Sequence, residues 1–412
     1  MTGTAKNTAQ KDEVHLQYLR IGTDYYKIIK QPLASKDTIE KIVKWLKQTI
    51  KEDHGDNILR KIPKYDSFCL IPNHENYERE VHNSYNLYEP VIHKPKKGNW
   101  PKIEYFLNHI FREQYEIGLD YLTIIWKHPT QVLPILCLVS QERNTGKTTF
   151  LLFLKEIFGK NMTFNTNEDF RTHFNSGWAS KLIIGVDEVF LEKKEDAEKL
   201  KNLSTSRLIN SEAKGKDRFE QEFFGKFVLC SNNETEFIQI DSDEIRYWIR
   251  KIPQFKEENK DLLTEMKKEI PAFLHFLSTR EIKTPNQTRM WFTKEQLWTD
   301  ALKNVMRSGT SPLEKEIRIL IVDQFLHFEL DEVRLTPKDV IELLKHENNF
   351  FAKKSDVINI LQKQWGYNPL DSPAYYKRWR YSIDNEGNEY PTTQQKNGRY
   401  YTFKKDNFLE KS

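Results

Sequence analysis

Apolar positions along this chain fall into distinct textures. Between about Trp100 and Arg280, short continuous apolar runs alternate with stretches of three- and four-residue spacing. Val132–Val139, Leu182–Val186 and Phe227–Cys230 are apolar without alternation, as strands covered on both faces of a parallel sheet must be. Ile245–Ile252 reads as a further strand, and Lys102–Lys127, Thr148–Phe158 and Lys260–Ser278 read as helices. That order predicts an α/β core. Upstream, Val14–Pro95 is mixed. Asp37 is placed to cap an amphipathic helix carrying Ile39, Ile42, Val43, Trp45 and Leu46, and Pro63, Pro72, Pro90 and Pro95 break the rest into short turns and strands. Past a connector around Lys283–Pro312, three helices are expected at Glu314–Phe328, Pro337–Lys345 and Lys354–Trp365. A hairpin pairing Tyr376–Ile383 with Gly398–Phe403 comes next, and the order predicts a winged helix.

Composition narrows the classes. At 412 residues the chain exceeds one compact core, so two or three domains are expected. Aromatic content of 13% excludes a largely disordered chain. With 64 Lys+Arg against 60 Asp+Glu, any nucleic-acid contact must rest on local basic charge. The longest apolar run, Val132–Val139, is interrupted by Pro134 and falls far short of the roughly 20 residues that span a bilayer. Three scattered cysteines give neither a disulfide framework nor a zinc site, and no histidines pair at metal-ligand spacing. A reducing cytoplasm is expected.

The sharpest chemistry lies in Gln141-Glu142-Arg143-Asn144-Thr145-Gly146-Lys147-Thr148-Thr149, between an apolar strand and an apolar helix. A phosphate-binding loop needs backbone N–H groups at a helix N-terminus, a lysine for the β- and γ-phosphates and a hydroxyl for Mg²⁺. Asn144, Thr145, Gly146, Lys147, Thr148 and Thr149 are therefore the candidate nucleotide-binding residues, with ATP and Mg²⁺ as cofactors. Gln141 stands where the loop pattern has its first glycine. A second buried strand, Leu182–Val186, ends in Asp187-Glu188: Asp187, with Thr148, is placed to hold Mg²⁺ and its waters, and Glu188 to activate the attacking water. A third, Phe227–Cys230, ends in Ser231-Asn232-Asn233, where Asn232, or Asn233 in the alternative register, can sense the γ-phosphate.

The series Thr145-Gly146-Lys147-Thr148, Asp187-Glu188 and Ser231-Asn232 resembles the three core motifs of superfamily 3 helicases, a branch of the AAA+ ATPases. It is most similar to the helicase part of phage and poxvirus-type primase-helicases, from near Tyr85-Asn86-Leu87-Tyr88 to about Pro253. The resemblance implies a hairpin whose lysine enters a central channel, which Lys214 and Lys216 match. It implies an arginine finger reaching the neighbouring subunit's nucleotide, which Arg246 matches, with Arg250 as alternate. It also implies a homo-oligomer in the form of a hexameric ring. No primase-like stretch is recognisable, so primer synthesis is not expected.

The expected organisation is an N-terminal accessory region (1–95), an AAA+ P-loop ATPase core (96–285), a connector (286–312) and a winged-helix domain (313–412). In the last, Lys353, Lys354, Lys377, Arg378 and Arg380, with Lys396 and Arg399, form a basic, aromatic face for DNA. The function expected is an ATP-dependent DNA helicase of phage or mobile-element replication. Its expected partners are single-stranded and forked DNA and replication proteins such as a primase, polymerase or initiator, with no membrane role. Two alternatives stand beside it: an initiator that melts an origin, and an AAA+ regulator or defence ATPase acting on proteins.

Overall fold

The computed structural model describes residues 17–34, 38–172, 175–191, 194–212, 219–240, 246–308, 311–347, 350–383 and 389–408. The chain divides into two compact units, residues 1–238 with 245–303, and residues 239–244 with 304–412. Among the described residues no helix is long and apolar enough to cross a membrane.

The first unit opens with strands β1 (Tyr18–Ile21), β2 (Asp24–Pro32) and β3 (Thr38–Trp45), helices α1 (Lys47–His54) and α2 (Ile58–Lys61), and β4 (Lys64–Tyr65). The sheet order is β3-β2-β1-β4. The helix expected over Ile39–Leu46 is instead strand β3, paired with β2 from Tyr25↔Trp45 to Pro32↔Thr38. Branched Ile39, Ile42 and Val43 lose rotamer freedom in a helix, and the neighbouring strand decides the outcome. The expected cap, Asp37, lies outside the described residues. Three short strands come next, β5 (Ser67–Cys69), β6 (Glu80–Val81) and β7 (Ser84–Asn86). This region is tied to the rest of the unit through Asn161, whose amide accepts from the Glu89 N–H (3.1 Å) and donates to the Glu89 carbonyl (2.7 Å).

The single helix expected over Lys102–Lys127 is two, α3 (Pro101–Phe111) and α4 (Tyr115–Lys127). The chain turns at Arg112, whose φ is +44°. Gly118 makes the corner possible, because a Cβ there would lie 2.3 Å from the Phe111 ring.

The centre of the unit is a five-stranded, wholly parallel sheet ordered Tyr247–Lys251, Ile135–Val139, Lys226–Ser231, Ile183–Val186 and Met162–Asn165. Its elements run β8 (Ile135–Val139), α5 (Lys147–Phe158), β9 (Met162–Asn165), α6 (Asn167–Arg171), β10 (Ile183–Val186), α7 (Lys194–Thr205), the hairpin β11 (Leu208–Ser211) and β12 (Phe219–Glu222), β13 (Lys226–Ser231), β14 (Tyr247–Lys251) and α8 (Leu262–Thr279). The mixed α/β core with a parallel sheet is thus present, and β9 is a strand the apolar pattern did not show. Every residue of β8, β10 and β13 is buried, which is why their sequences lack alternation. The expected connector holds α9 (Lys294–Leu297) and α10 (Asp300–Ser308).

The second unit runs α11 (Pro312–His327), β15 (Glu332–Leu335), α12 (Pro337–Glu347), α13 (Lys354–Asn359), β16 (Ala374–Ile383), β17 (Glu389–Gly398) and β18 (Tyr401–Lys404). Ile321, Phe325, Leu344, Val357, Leu361 and Phe403 are in its core. The expected hairpin register is corrected: β16 pairs with Glu389–Gly398, and Tyr401–Lys404 pairs with Glu332–Leu335. The polar β17, with Pro391, carries no apolar pattern to reveal it. The last expected helix is shorter, giving way to a π turn over Ile360–Gln364.

Candidate nucleotide site

The site forms beyond the carboxyl ends of the parallel strands, where a sheet of this kind leaves a crevice. From β8 the chain enters the loop 141–146 and turns into α5, with Asn144 at φ +55° and Gly146 at φ +87°. Gly146 is required twice over. Its backbone is left-handed, and a Cβ would approach Phe255 Cε2 to 2.9 Å and Phe106 Cε2 to 3.0 Å.

Lys147 is buried, and its ammonium folds inside the loop, donating to the Ser140 carbonyl (3.0 Å), Thr145 Oγ1 (3.2 Å) and the Glu142 carbonyl (3.4 Å). Burial pulls its pKa below the usual lysine value, opposed by the charges of Asp187 and Glu234. None of its three partners is an acid, so the loop retains a positive charge beside the N-terminal amides of a helix. Thr148 Oγ1 donates to Asp187 Oδ2 at 2.8 Å. A hydroxyl and one carboxylate fit Mg²⁺, which keeps several waters and takes phosphate oxygens rather than a full protein cage. No cluster of three or more His, Cys, Asp or Glu able to hold a metal occurs among the described residues.

Glu188 is exposed and left-handed, φ +58°. Its turn is pinned on both sides: Val189 N–H donates to the Cys230 carbonyl (2.7 Å), and Asn167 bridges it, donating to the Glu188 carbonyl (3.4 Å) and accepting from the Phe190 N–H (3.1 Å). Asn232 is exposed at the end of β13. The Asn233 Oδ1 accepts from the N–H groups of Thr235 (3.0 Å) and Glu236 (2.7 Å), closing the turn after β13.

Several participants escaped the sequence. Glu234 accepts from the Gln141 N–H (3.1 Å) and pairs with Lys251 (2.7 Å), fixing the loop where the first glycine is missing. His109, on α3, meets the Thr145 carbonyl through Nε2 (3.1 Å) and stacks on Phe255 at 3.7 Å. Burial pulls the His109 imidazole below its usual value, opposed by its hydrogen bond to the Thr145 carbonyl, to which Nε2 donates. A cavity of about 970 Å³ opens beside the loop, bordered by Lys102, Tyr105, Asn144, Gly146, Thr149 and Phe255. Its volume suits a nucleoside. Asn167 and Glu234 sit a few residues past strand ends, which is the one signal that pointed to them.

The remaining candidates are dispersed. Arg250 is 3% exposed and bound inside by Glu113 (2.7 Å), Gln114 (2.8 Å) and the Phe111 carbonyl (2.7 Å), so it is a structural ion pair rather than a finger. Arg246 precedes β14, where its carbonyl accepts from Ile135 N–H at the start of β8, so it lies at the sheet end opposite the loop. Lys214 and Lys216 fall outside the described residues, between paired β11 and β12. In the second unit, Lys353, Lys354, Lys377 and Arg380 are exposed. Arg378 is corrected: with Lys396 it pairs internally with Asp339 and Glu342 at 2.6–3.1 Å, and this withdraws it from a DNA-facing surface. Burial would raise the Asp339 carboxyl, but hydrogen bonds from Lys396, Tyr376 and Thr336 outweigh it and hold the pKa below the ordinary value.

Residues 138–250 match a family of unknown function, DUF5906. No curated protein matches the sequence. Among solved structures, the apo NrS-1 C-terminal region (305–718) superposes with a TM-score of 0.60 at 13% identity, over 90% of this chain and 94% of that one. Its A form gives 0.59 at 15%, over 86% and 92%. This chain therefore shares the fold of that region along most of its length. A structure described as the active SCCmec type IV Cch helicase stands among the neighbours at a TM-score of 0.40 and 12% identity, over 84% and 88%, too low a score to bear on function.

Proposed function

We propose that this protein is an ATP-driven DNA helicase of the superfamily 3 type, built on an AAA+ core with a C-terminal winged helix, acting in phage or mobile-element replication in the cytoplasm. The observation that carries the reading is the 2.8 Å contact between Thr148 and Asp187, which joins the loop motif to the acidic strand end on one side of the sheet. Lys147 and the N–H groups at the start of α5 hold the β- and γ-phosphates of ATP, and Phe255 and Tyr105 border the space for its base. When bound, Mg²⁺ supplies positive charge against the phosphates as the terminal bond breaks. Thr148 and Asp187 are the residues that hold it. Glu188 orients the attacking water and takes its proton, and Asn232 contacts the γ-phosphate.

Arg246 completes a neighbour's site, since its end of the sheet faces away from its own loop. Lys214 and Lys216 carry the strand along a channel in a hexameric ring. The exposed Lys353, Lys354, Lys377 and Arg380 meet forked DNA, and replication proteins are the partners. The order helix, strand, helix, helix, hairpin in the second unit supports the winged-helix assignment.

Unwinding of a forked duplex with ATP is the test. Wild-type protein should separate the strands, while Lys147→Ala should neither bind nucleotide nor unwind. Glu188→Gln should bind ATP normally and hydrolyse it about 100-fold or more slowly. Turnover at the wild-type rate by Glu188→Gln would remove that residue as the base, and ATPase without any response to DNA would favour a protein-remodelling role.

A further inference from the structure

At the amino ends of the central sheet, opposite the nucleotide loop, lies a second concave site whose rim carries two arginines. Lys226 opens β13 and is 2% exposed; its ammonium donates to the carbonyls of Pro129 and Phe224 (2.6 Å to the latter). The same two residues line a cleft of about 870 Å³ whose rim carries His128, Arg207, Glu222, Asn286, Arg289 and Trp291. Arg207 and Arg289 are exposed. The Arg289 guanidinium donates to the Thr205 carbonyl, and that of Arg207 has no partner among the described residues. Glu222 is the single acid among the residues lining the cleft, against Arg207, Arg289 and Lys127.

The aromatic component is unusual in its backbone. Trp291 holds φ +72°, a conformation a bulky residue adopts only when its surroundings impose it. Its indole N–H is anchored to the Thr284 carbonyl (3.0 Å), and its ring lies near-parallel to His128 with centroids 6.0 Å apart. It is half-buried, so part of the ring borders the cleft. Strain at that position fixes where an aromatic surface stands beside two guanidinium groups.

We propose that this cleft binds a single-stranded nucleic acid, with Arg207 and Arg289 contacting backbone phosphates and Trp291 with His128 offering a stacking surface to a base. Guanidinium groups and an aromatic face are the combination that holds a strand without reading its sequence. Position agrees: Arg207 immediately precedes β11 and Glu222 ends β12, so the cleft lies where the paired strands β11 and β12 leave the core. The proposal rests on the function proposed for the protein, a nucleic-acid motor, and adds a binding surface to it.

The test is fluorescence anisotropy of a labelled single-stranded oligonucleotide with the full chain across a salt series, comparing wild type, Arg207→Glu, Arg289→Glu, the double variant and Trp291→Leu. Each arginine reversal should weaken binding and make the dependence of log affinity on log salt shallower by about 0.7 for each phosphate no longer neutralised. Trp291→Leu should weaken binding about tenfold with the salt slope unchanged. ATP hydrolysis without nucleic acid should stay at the wild-type rate in all of them, because none lies near Lys147. If wild type binds the strand and the double reversal binds it equally well with the same slope, the cleft is not a nucleic-acid site. If wild type binds no strand under any salt condition while hydrolysing ATP, the helicase reading itself fails.

Discussion

At the residue scale, the nucleotide loop depends on one position with no side chain. Gly146 combines a left-handed backbone with contact to Phe106 and Phe255, and Phe255 in turn donates its N–H to the Asn144 carbonyl (3.3 Å) and stacks on His109. Loop, α3 and the segment after β14 are thereby packed into one wall. Gly146→Ala should cost about 1–2 kcal/mol through the backbone alone, and more through displacement of Phe255. Thermal denaturation should show the destabilisation, and nucleotide titration should show at least tenfold weaker binding. Lys147, Thr148, Asp187, Glu188 and Asn232 could be singled out as candidates because each combines a chemical type with a place at a strand or helix end, and the fold brings Thr148 to Asp187. His109, Phe255 and Asn167 could not, because an ordinary aromatic or amide acquires its role only from the chain that folds against it.

At the element scale, continuous apolar runs predicted β8, β10 and β13 well, since complete burial leaves one physical explanation for such a run. Strands at edges or in small sheets were harder to see. The four-residue β9 is too short to show a period, and β3, exposed over its first half, takes its state from β2. The break between α3 and α4 was written in Gly118, but its meaning depends on Phe111 arriving above it. The start of β13 yields a prediction that does not involve ATP. Burial pushes Lys226 down to about 7, whereas an unfolded lysine keeps its proton to about 10.4. Between those values the unfolded chain binds the additional proton, so this residue makes stability rise as pH climbs from 7 towards 10, and its contribution levels off below 7. Melting temperatures across that window should rise in wild type, and the rise should be smaller in Lys226→Met.

At the scale of the whole molecule, Arg246 stands at one end of the sheet and the loop 141–146 at the other, so under the proposed finger role the two halves of a site would lie on opposite sides of the protomer. Under the proposed head-to-tail ring, Arg246→Ala and Lys147→Ala should each abolish ATPase when present alone. Mixed together they should regain part of it, because some interfaces then pair an intact Lys147 with an intact Arg246. No recovery on mixing, at concentrations where the ring forms, would place the completing arginine elsewhere.

The buried parallel sheet has one more consequence. Its strands face apolar neighbours on both sides, and such positions accept exchange among Val, Ile, Leu, Phe and Cys provided volume is kept. Over long divergence the interior can therefore be rewritten almost entirely while strand order and spacing persist. This accounts for a chain that overlays another across 90% of its length with 13% of residues in common. What persists in such a protein is backbone geometry rather than the identity of its core side chains.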